Sequence, residues 1–403
     1  MFQFNVESRV FEEAVRKIKI AIPASNKKDT GDCVQLTLYK EVGTSGRSVG
    51  IFLAFNAKIE AISTMEISDV TSEVKEMKVF VSGSKLAAAA TAFGALDTVL
   101  EITVNKEMSI SGAGSKVSLP LGEDIAKINP NEAMKITAEL ETDAFVNFID
   151  FSSSCYQERK AAHGMNCVGI RFDPKQRVLS AASSNGSRAA YEELRDVTIK
   201  RVEEKGKSDQ ETTDENDAED TKITVTVEGN ILTSAIRNLG GKSKITVSTD
   251  GKRLVLKKGA YVIIILTSEQ AFPFDSVIQV MQKNEGDAGG TWKAPIDKIL
   301  QALSIYEITM EKPWLEIKKN GQSKMNFQGK DELTTASVIC AQEGEINRVV
   351  LDEVQFKEAL NIFASRYTKS TEICIGVSAE DKPVSVKKNP NDVNCIVIMP
   401  IAS

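Results

Sequence analysis

The sequence predicts an α+β fold dominated by antiparallel sheet and divided into three domains. A short alternating strand that runs into a helix, and then into further strands, recurs six times along the chain. Between the helices, β-branched residues alternate with polar ones and glycine marks the turns. At 403 residues the chain is also longer than a single compact core supports.

The first unit pairs a strand at 2–6 with a helix at 8–18, where Val10, Ala14 and Ile18 recur at helical spacing and Ser8 stands as the cap. The second joins a strand at 78–81 to an alanine-rich helix ending at Gly94. The third places a strand at 135–140 before a helix at 142–149, and the fourth a strand at 222–227 before a helix at 230–236. In the fifth, a strand at 291–294 leads to a helix with Pro295 in its first turn, which proline suits. The sixth sets a strand at 347–351 before a helix at 352–360. Residues 244–248 and 253–256 read as a hairpin turned at Asp250-Gly251.

Strand starts are 76, 57, 87, 69 and 56 residues apart, and the longest interval holds an acidic insert at 201–221. Taken in pairs, the units give domains at 1–130, 131–288 with the insert, and 289–403. Pro130 and the glycine-rich 286–290 mark the breaks.

The closing stretch, Cys395 to Ser403, is apolar and β-branched, and reads as a buried strand. Pro400 cannot donate to a ladder, so the strand should stop near Ile398 and leave Met399 and Ile401 as an apolar tip. Two readings of that tip stay open: a harmless tail, or one wall of a groove for other proteins.

Composition narrows the chemistry. Hydrophobic residues make up 42% and charged ones 26%, as in a soluble globular protein. No apolar run is long enough to span a membrane, and the first residues lack a signal-peptide pattern. Six scattered cysteines without a C-x-x-C pair read as reduced core residues of a cytosolic protein. His163 is the single histidine, which nearly excludes a histidine metal site or a Ser-His-Asp triad. Gly241-Lys242-Ser243 lacks the upstream glycine and the following helix of a phosphate loop. No catalytic residue, metal or cofactor is expected. The formal charge is −6, yet without the nine acids and two lysines at 203–220 it becomes 47 acidic against 48 basic residues. An anionic partner is therefore open to the rest of the chain.

Several ordered segments together resemble the bacterial sliding clamp family, the β subunit of DNA polymerase III. Val397-Ile398-Met399-Pro400-Ile401 is similar to that family's Val-Val-Met-Pro-Met ending. Gly169-Ile170-Arg171-Phe172, with Ala182-Ser183-Ser184-Asn185-Gly186-Ser187-Arg188 after it, resembles the Gly-Met-Leu-Phe … Ala-Thr-Asp-Gly-His-Arg segment. Phe272-Pro273 before Val277-Ile278 resembles a Phe-Pro-Asp-Tyr turn. Departures are Ser187 in place of histidine, Phe274 after the proline, and the Ala402-Ser403 end; residues 43–72 match least.

The resemblance implies three clamp-type domains per chain, each with two helices, and a helix-lined ring of two chains around double-stranded DNA. It implies as partners the polymerase III catalytic subunit, a clamp loader and other proteins with clamp-binding motifs, in the cytoplasm. By the same resemblance the peptide groove comprises Cys167, Ser184, Gly186, Ser187, Arg188, Pro273, Ile278, Gln355, Val397, Met399, Pro400 and Ile401. The DNA-facing bases are Arg16, Lys17, Lys27, Lys28, Lys85, Arg159, Arg237, Lys298 and Arg366, each equally readable as a solvated surface charge. The homodimer contact sets Val117 and Leu119 against Ile305 and Tyr306. Competing readings are a clamp-like regulator or decoy that is never loaded, and a DNA-processing enzyme with an unrecognised site.

Overall fold

The computed structural model describes residues 1–22, 33–42, 46–122, 133–157, 164–201, 222–283, 289–309, 315–319, 324–328, 335–345, 348–379 and 381–401. Lys27, Lys28, Arg159 and nearly all of the acidic insert lie outside these residues.

All six strand-to-helix units are present. Helix α1 (Ser8–Ile18) follows the strand Phe2–Glu7, and α2 (Gly83–Gly94) follows Glu76–Ser82. Helix α3 (Thr142–Ser152) follows Ile136–Glu141, and α4 (Gly229–Ile236) follows Ile223–Glu228. A further helix, α5 (Phe274–Lys283), stands where the sequence reading had only a turn. Helix α6 (Ile296–Tyr306) follows Gly290–Pro295, and α7 (Glu353–Arg366) follows Arg348–Leu351. Among the described residues, no helix is long and apolar enough to cross a membrane.

Local chemistry explains the helix starts, with two corrections. Ser8 does not cap α1. Glu7 holds that position without a side-chain bond, while buried Ser8 donates its N–H to Thr98 O at 2.8 Å and accepts from Thr98 N at 3.1 Å. The hydroxyl thus ties the helix to the residue that precedes the strand Val99–Val104. Pro295 is the residue before α6 and not part of its first turn. Elsewhere the caps are conventional: Ser82 Oγ accepts from Lys85 N, and Asp352 Oδ1 accepts from Gln355 N at 3.0 Å.

The chain divides into two compact units. The first comprises Met1–Thr142, Lys200–Glu211 and Ser234–Thr267; the second comprises Asp143–Ile199, Thr212–Thr233 and Ser268–Ser403. In the first unit an antiparallel sheet runs in the order Ile136–Glu141, Lys244–Thr249, Arg253–Lys258, Tyr261–Leu266, Ile59–Ser72, Phe2–Glu7, Val99–Val104, Glu107–Gly112, Ser115–Pro120. The pairing of Tyr261–Leu266 with Ile59–Ser72 is what joins segments on both sides of Pro130. The expected hairpin is there, with Gly251 at φ +95 and Asp250 Oδ1 accepting from Lys252 N and Arg253 N, each at 2.8 Å.

The second unit holds a nine-stranded antiparallel sheet in the order Ile223–Glu228, Cys167–Asp173, Val178–Ser184, Arg188–Leu194, Cys395–Ile398, Val384–Lys387, Glu372–Val377, Gly290–Pro295, Ala341–Glu343. A separate four-stranded sheet runs Thr335–Ile339, Lys324–Gln328, Leu315–Lys319, Arg348–Leu351. One core joins these sheets to α6 and α7 around Trp292, Phe327, Phe356 and Phe363. A smaller core lies beneath α5 and positions the candidate site.

Candidate peptide-binding groove

The strand Cys395–Ile398 lies inside the nine-stranded sheet, paired with Arg188–Leu194 on one side and Val384–Lys387 on the other. Its four residues are all buried, and they alternate between two cores. Ile396 and Ile398 enter the core of α6 and α7, whereas Cys395 and Val397 face α5. Burial on both faces explains why the run is continuously apolar.

The α5 face of the sheet carries several small residues, Gly169, Ala182, Ser184 and Ala189. Gly169, Ala182 and Tyr191 share one cross-strand row, and Ser184, Ala189 and Val397 share another. Phe272 and Phe274 fill the space this leaves. A Cβ at Gly169 would meet a carbon of each ring at 2.7 Å, so only glycine admits both. Phe274, Val277 and Met281 recur at helical spacing and face the sheet. The opposite flank, with Ser276 and Val280, is left to line a cavity.

That cavity holds about 240 Å³ and is mainly apolar. Pro273, Ser276, Val277 and Val280 of the α5 segment form one wall; Val397 and Met399 form another. The turn from Ser184 to Arg188, with Ala189 and Met165, completes it. Gly186 takes φ +87, which side-chain-bearing residues rarely adopt. Asn185 Oδ1 accepts from Ser187 N at 3.0 Å and Arg188 N at 2.9 Å, and its Nδ2 donates to Gln355 Oε1 at 3.3 Å. The turn is thereby fixed to α7. Arg188 reinforces this, its Nη2 lying 2.6 Å from Glu358 on the same helix. Met399 donates its N–H to Ser187 O at 2.7 Å, which seats the tail on the turn, and its side chain remains 42% exposed.

Of the residues assigned to the groove from the sequence, Ser184, Gly186, Arg188, Pro273, Val397 and Met399 line the cavity. Ser187 contributes its carbonyl and Gln355 its amide, both as supports. The others are placed differently. Cys167 is fully buried in its strand, and Ile278 packs against the core under α5. Pro400 is half-buried, and Ile401 donates its N–H to Val350 O at 3.0 Å, on the strand leading into α7. Met165, Ala189, Ser276, Val277 and Val280 were missed. The spacing Pro273, Ser276, Val277, Val280 marks one helical face, a signal available once α5 is read as a helix.

The basic and dimer residues separate in the same way. Arg16, Lys85, Arg237 and Lys298 are exposed on helices or directly after one, while Lys17 pairs with Glu13 at 2.7 Å. Arg366 is engaged: its guanidinium forks onto Glu192, which is 1% exposed, and lies 5.0 Å from the Phe151 ring. Val117 is half-buried on the edge strand Ser115–Pro120, and Leu119 is buried. Ile305 is 48% exposed beside Ile339, which is 76% exposed on the edge strand Thr335–Ile339; both border a second cavity. Tyr306 is 2% exposed within the core, so it presents no contact surface.

No family model and no curated protein matches the chain. Solved structures do. A Helicobacter pylori β clamp bound to a DNA ligase peptide has a TM-score of 0.77 at 15% identity, covering 99% of this chain and all of that one. A Pseudomonas aeruginosa sliding clamp bound to griselimycin has a TM-score of 0.80 at 12% identity, with both chains fully covered. A putative DNA polymerase III β subunit from Eubacterium rectale has 0.76 at 11%, again with full coverage of both. The chain has the fold of bacterial sliding clamps over its whole length.

Proposed function

We propose that a chain with this fold works as a DNA sliding clamp: a ring that encircles duplex DNA and tethers the proteins acting on it. The observation that carries the reading is the apolar groove built by α5, the glycine turn and the Met399 tail, within a chain that is clamp-like from end to end. A mainly apolar cavity of this size suits a leucine or phenylalanine anchor of a short peptide. The occupants proposed are short Gln- and Leu/Phe-containing segments of the polymerase III catalytic subunit, the clamp loader and other clamp-binding proteins.

In this reading the six strand-to-helix units form three domains, at 1–130, 131–288 and 289–403. Two chains close the ring as a cytoplasmic homodimer, the edge strand carrying Val117 of one meeting the Ile305 and Ile339 corner of the other. Edge strands with outward apolar residues are natural pairing surfaces. Arg16, Lys85, Arg237 and Lys298 contact phosphates without reading bases, which permits sliding. The protein itself performs no catalysis.

The test is topological. Rings placed on nicked circular DNA by a clamp loader should persist there and be lost once the circle is cut. Equal retention on linear DNA with free ends would sink the proposal.

A further inference from the structure

Arg171 sits on the α5 face of the Cys167–Asp173 strand, two residues after Gly169. Its side chain is 16% exposed and makes three directed contacts. Nε donates to Thr224 Oγ1 at 2.8 Å on the adjacent strand, which anchors the guanidinium to the sheet. Nη1 donates to Asp275 Oδ1 at 2.7 Å, in the first turn of α5. The guanidinium lies over the Phe274 ring, its carbon 4.2 Å from the centroid. Two consecutive residues at the start of α5 are therefore gripped by one side chain that is itself held by the sheet.

Their position in the helix gives this grip a consequence. Ser276, Val277 and Val280, which line the groove, follow Phe274 and Asp275 within two turns. Fixing the first turn in translation and rotation fixes where those groups stand, because a helix transmits rotation along its axis at about 3.6 residues per turn. Packing of Phe274, Val277 and Met281 holds α5 against the sheet, yet apolar contacts are non-directional. The planar guanidinium, with a forked donor set and a stacking face, supplies the direction. Arg171 pulls the Asp275 carboxyl below its ordinary range, as expected for a charge-assisted bond.

We infer that Arg171 is a positioning residue for the groove: by latching Phe274 and Asp275 it sets the α5 wall, and with it the affinity for peptide. This rests on the groove reading given above. Since Asp275 is 75% exposed, the ion pair contributes little to overall stability, and the latch should be separable from folding.

The experiment compares full-length parent, Arg171→Leu, Asp275→Asn and the double variant. Two readouts are taken: anisotropy of a fluorescein-labelled Gln- and Leu/Phe-containing peptide, and amide hydrogen exchange across α5 without peptide. Each single variant should bind about three- to tenfold more weakly, and the double no worse than either, as coupled partners behave. Exchange across α5 should quicken in all three while the melting temperature barely moves. Arg171→Lys, which keeps charge but loses fork and stacking, should fall between parent and Arg171→Leu. Undiminished affinity in the single variants, or losses that multiply in the double, would overturn the inference. So would weakened binding with unchanged α5 exchange. A parent that binds no peptide would instead overturn the groove reading and the affinity effect together, leaving the exchange comparison to decide the latch itself.

Discussion

Met399→Ala measures what the tail contributes to the groove. Full burial of a methionine side chain is worth about 1.5–3 kcal/mol. Met399 is only 42% exposed, so a bound peptide covers the smaller part of it. The remaining gain is about 1 kcal/mol, or about a fivefold loss of affinity on truncation. The hydrogen bond from Met399 N to Ser187 O survives the change, which isolates the side chain. Counting Ile401 as a second wall residue would give about a hundredfold for the pair. Ile401 is not among the residues lining the cavity, and its backbone N–H is bonded to Val350 O, so Ile401→Ala should stay within about twofold of the parent. Peptide anisotropy with each variant decides the matter. The reasoning fails if Met399→Ala binds as tightly as the parent, or if Ile401→Ala loses more than Met399→Ala.

Ile305→Glu combined with Ile339→Glu should give folded monomers by sedimentation; an unchanged dimer would place the contact elsewhere. Arg366→Ala strands the nearly buried Glu192 carboxylate and should destabilise the chain by about 3 kcal/mol in denaturant titration, whereas a purely DNA-facing arginine would leave stability unmoved. Glu353, 1% exposed at the start of α7, has its pKa pushed up to about 7 by burial and by the Glu307 carboxyl beside it, with Lys357 and Asp352 also facing it. The folded state therefore holds that proton after the unfolded state has lost it, at its ordinary value of 4.5. The parent should lose stability relative to Glu353→Gln as pH rises from about 4.5 to about 7, with no further divergence above that. A constant difference between the two across the window would refute the assignment.

The six strand-to-helix units were legible because each joins a change of hydrophobic period to a capping or turn residue. The tail strand was legible for a related reason: Pro400 ends any ladder, and Ile398 is the last residue of the strand. Helix α5 is hidden in the sequence because Phe272-Pro273 reads as a turn, although Phe274, Val277 and Met281 recur at helical spacing behind it. Tyr306 was open to correction from sequence alone. Ile296, Ile299, Leu303 and Tyr306 form the buried stripe of α6, and Ile305 falls off it. Other features depend on contacts remote in sequence. Glu192 lies 174 residues from Arg366, and no local pattern marks that arginine as paired. Ile401 likewise depends on where the chain travels after a proline. Arg171 reads from alternation only as an outward-facing residue; its role appears once Thr224, Phe274 and Asp275 are brought around it.

Electron-microscope projections of the purified full-length protein test the central claim most directly. The proposed dimeric clamp requires closed rings of two copies around an open centre, with the Ile305→Glu, Ile339→Glu variant reduced to single arcs. Compact particles with no central opening, at concentrations where the protein is fully associated by sedimentation, would contradict the account.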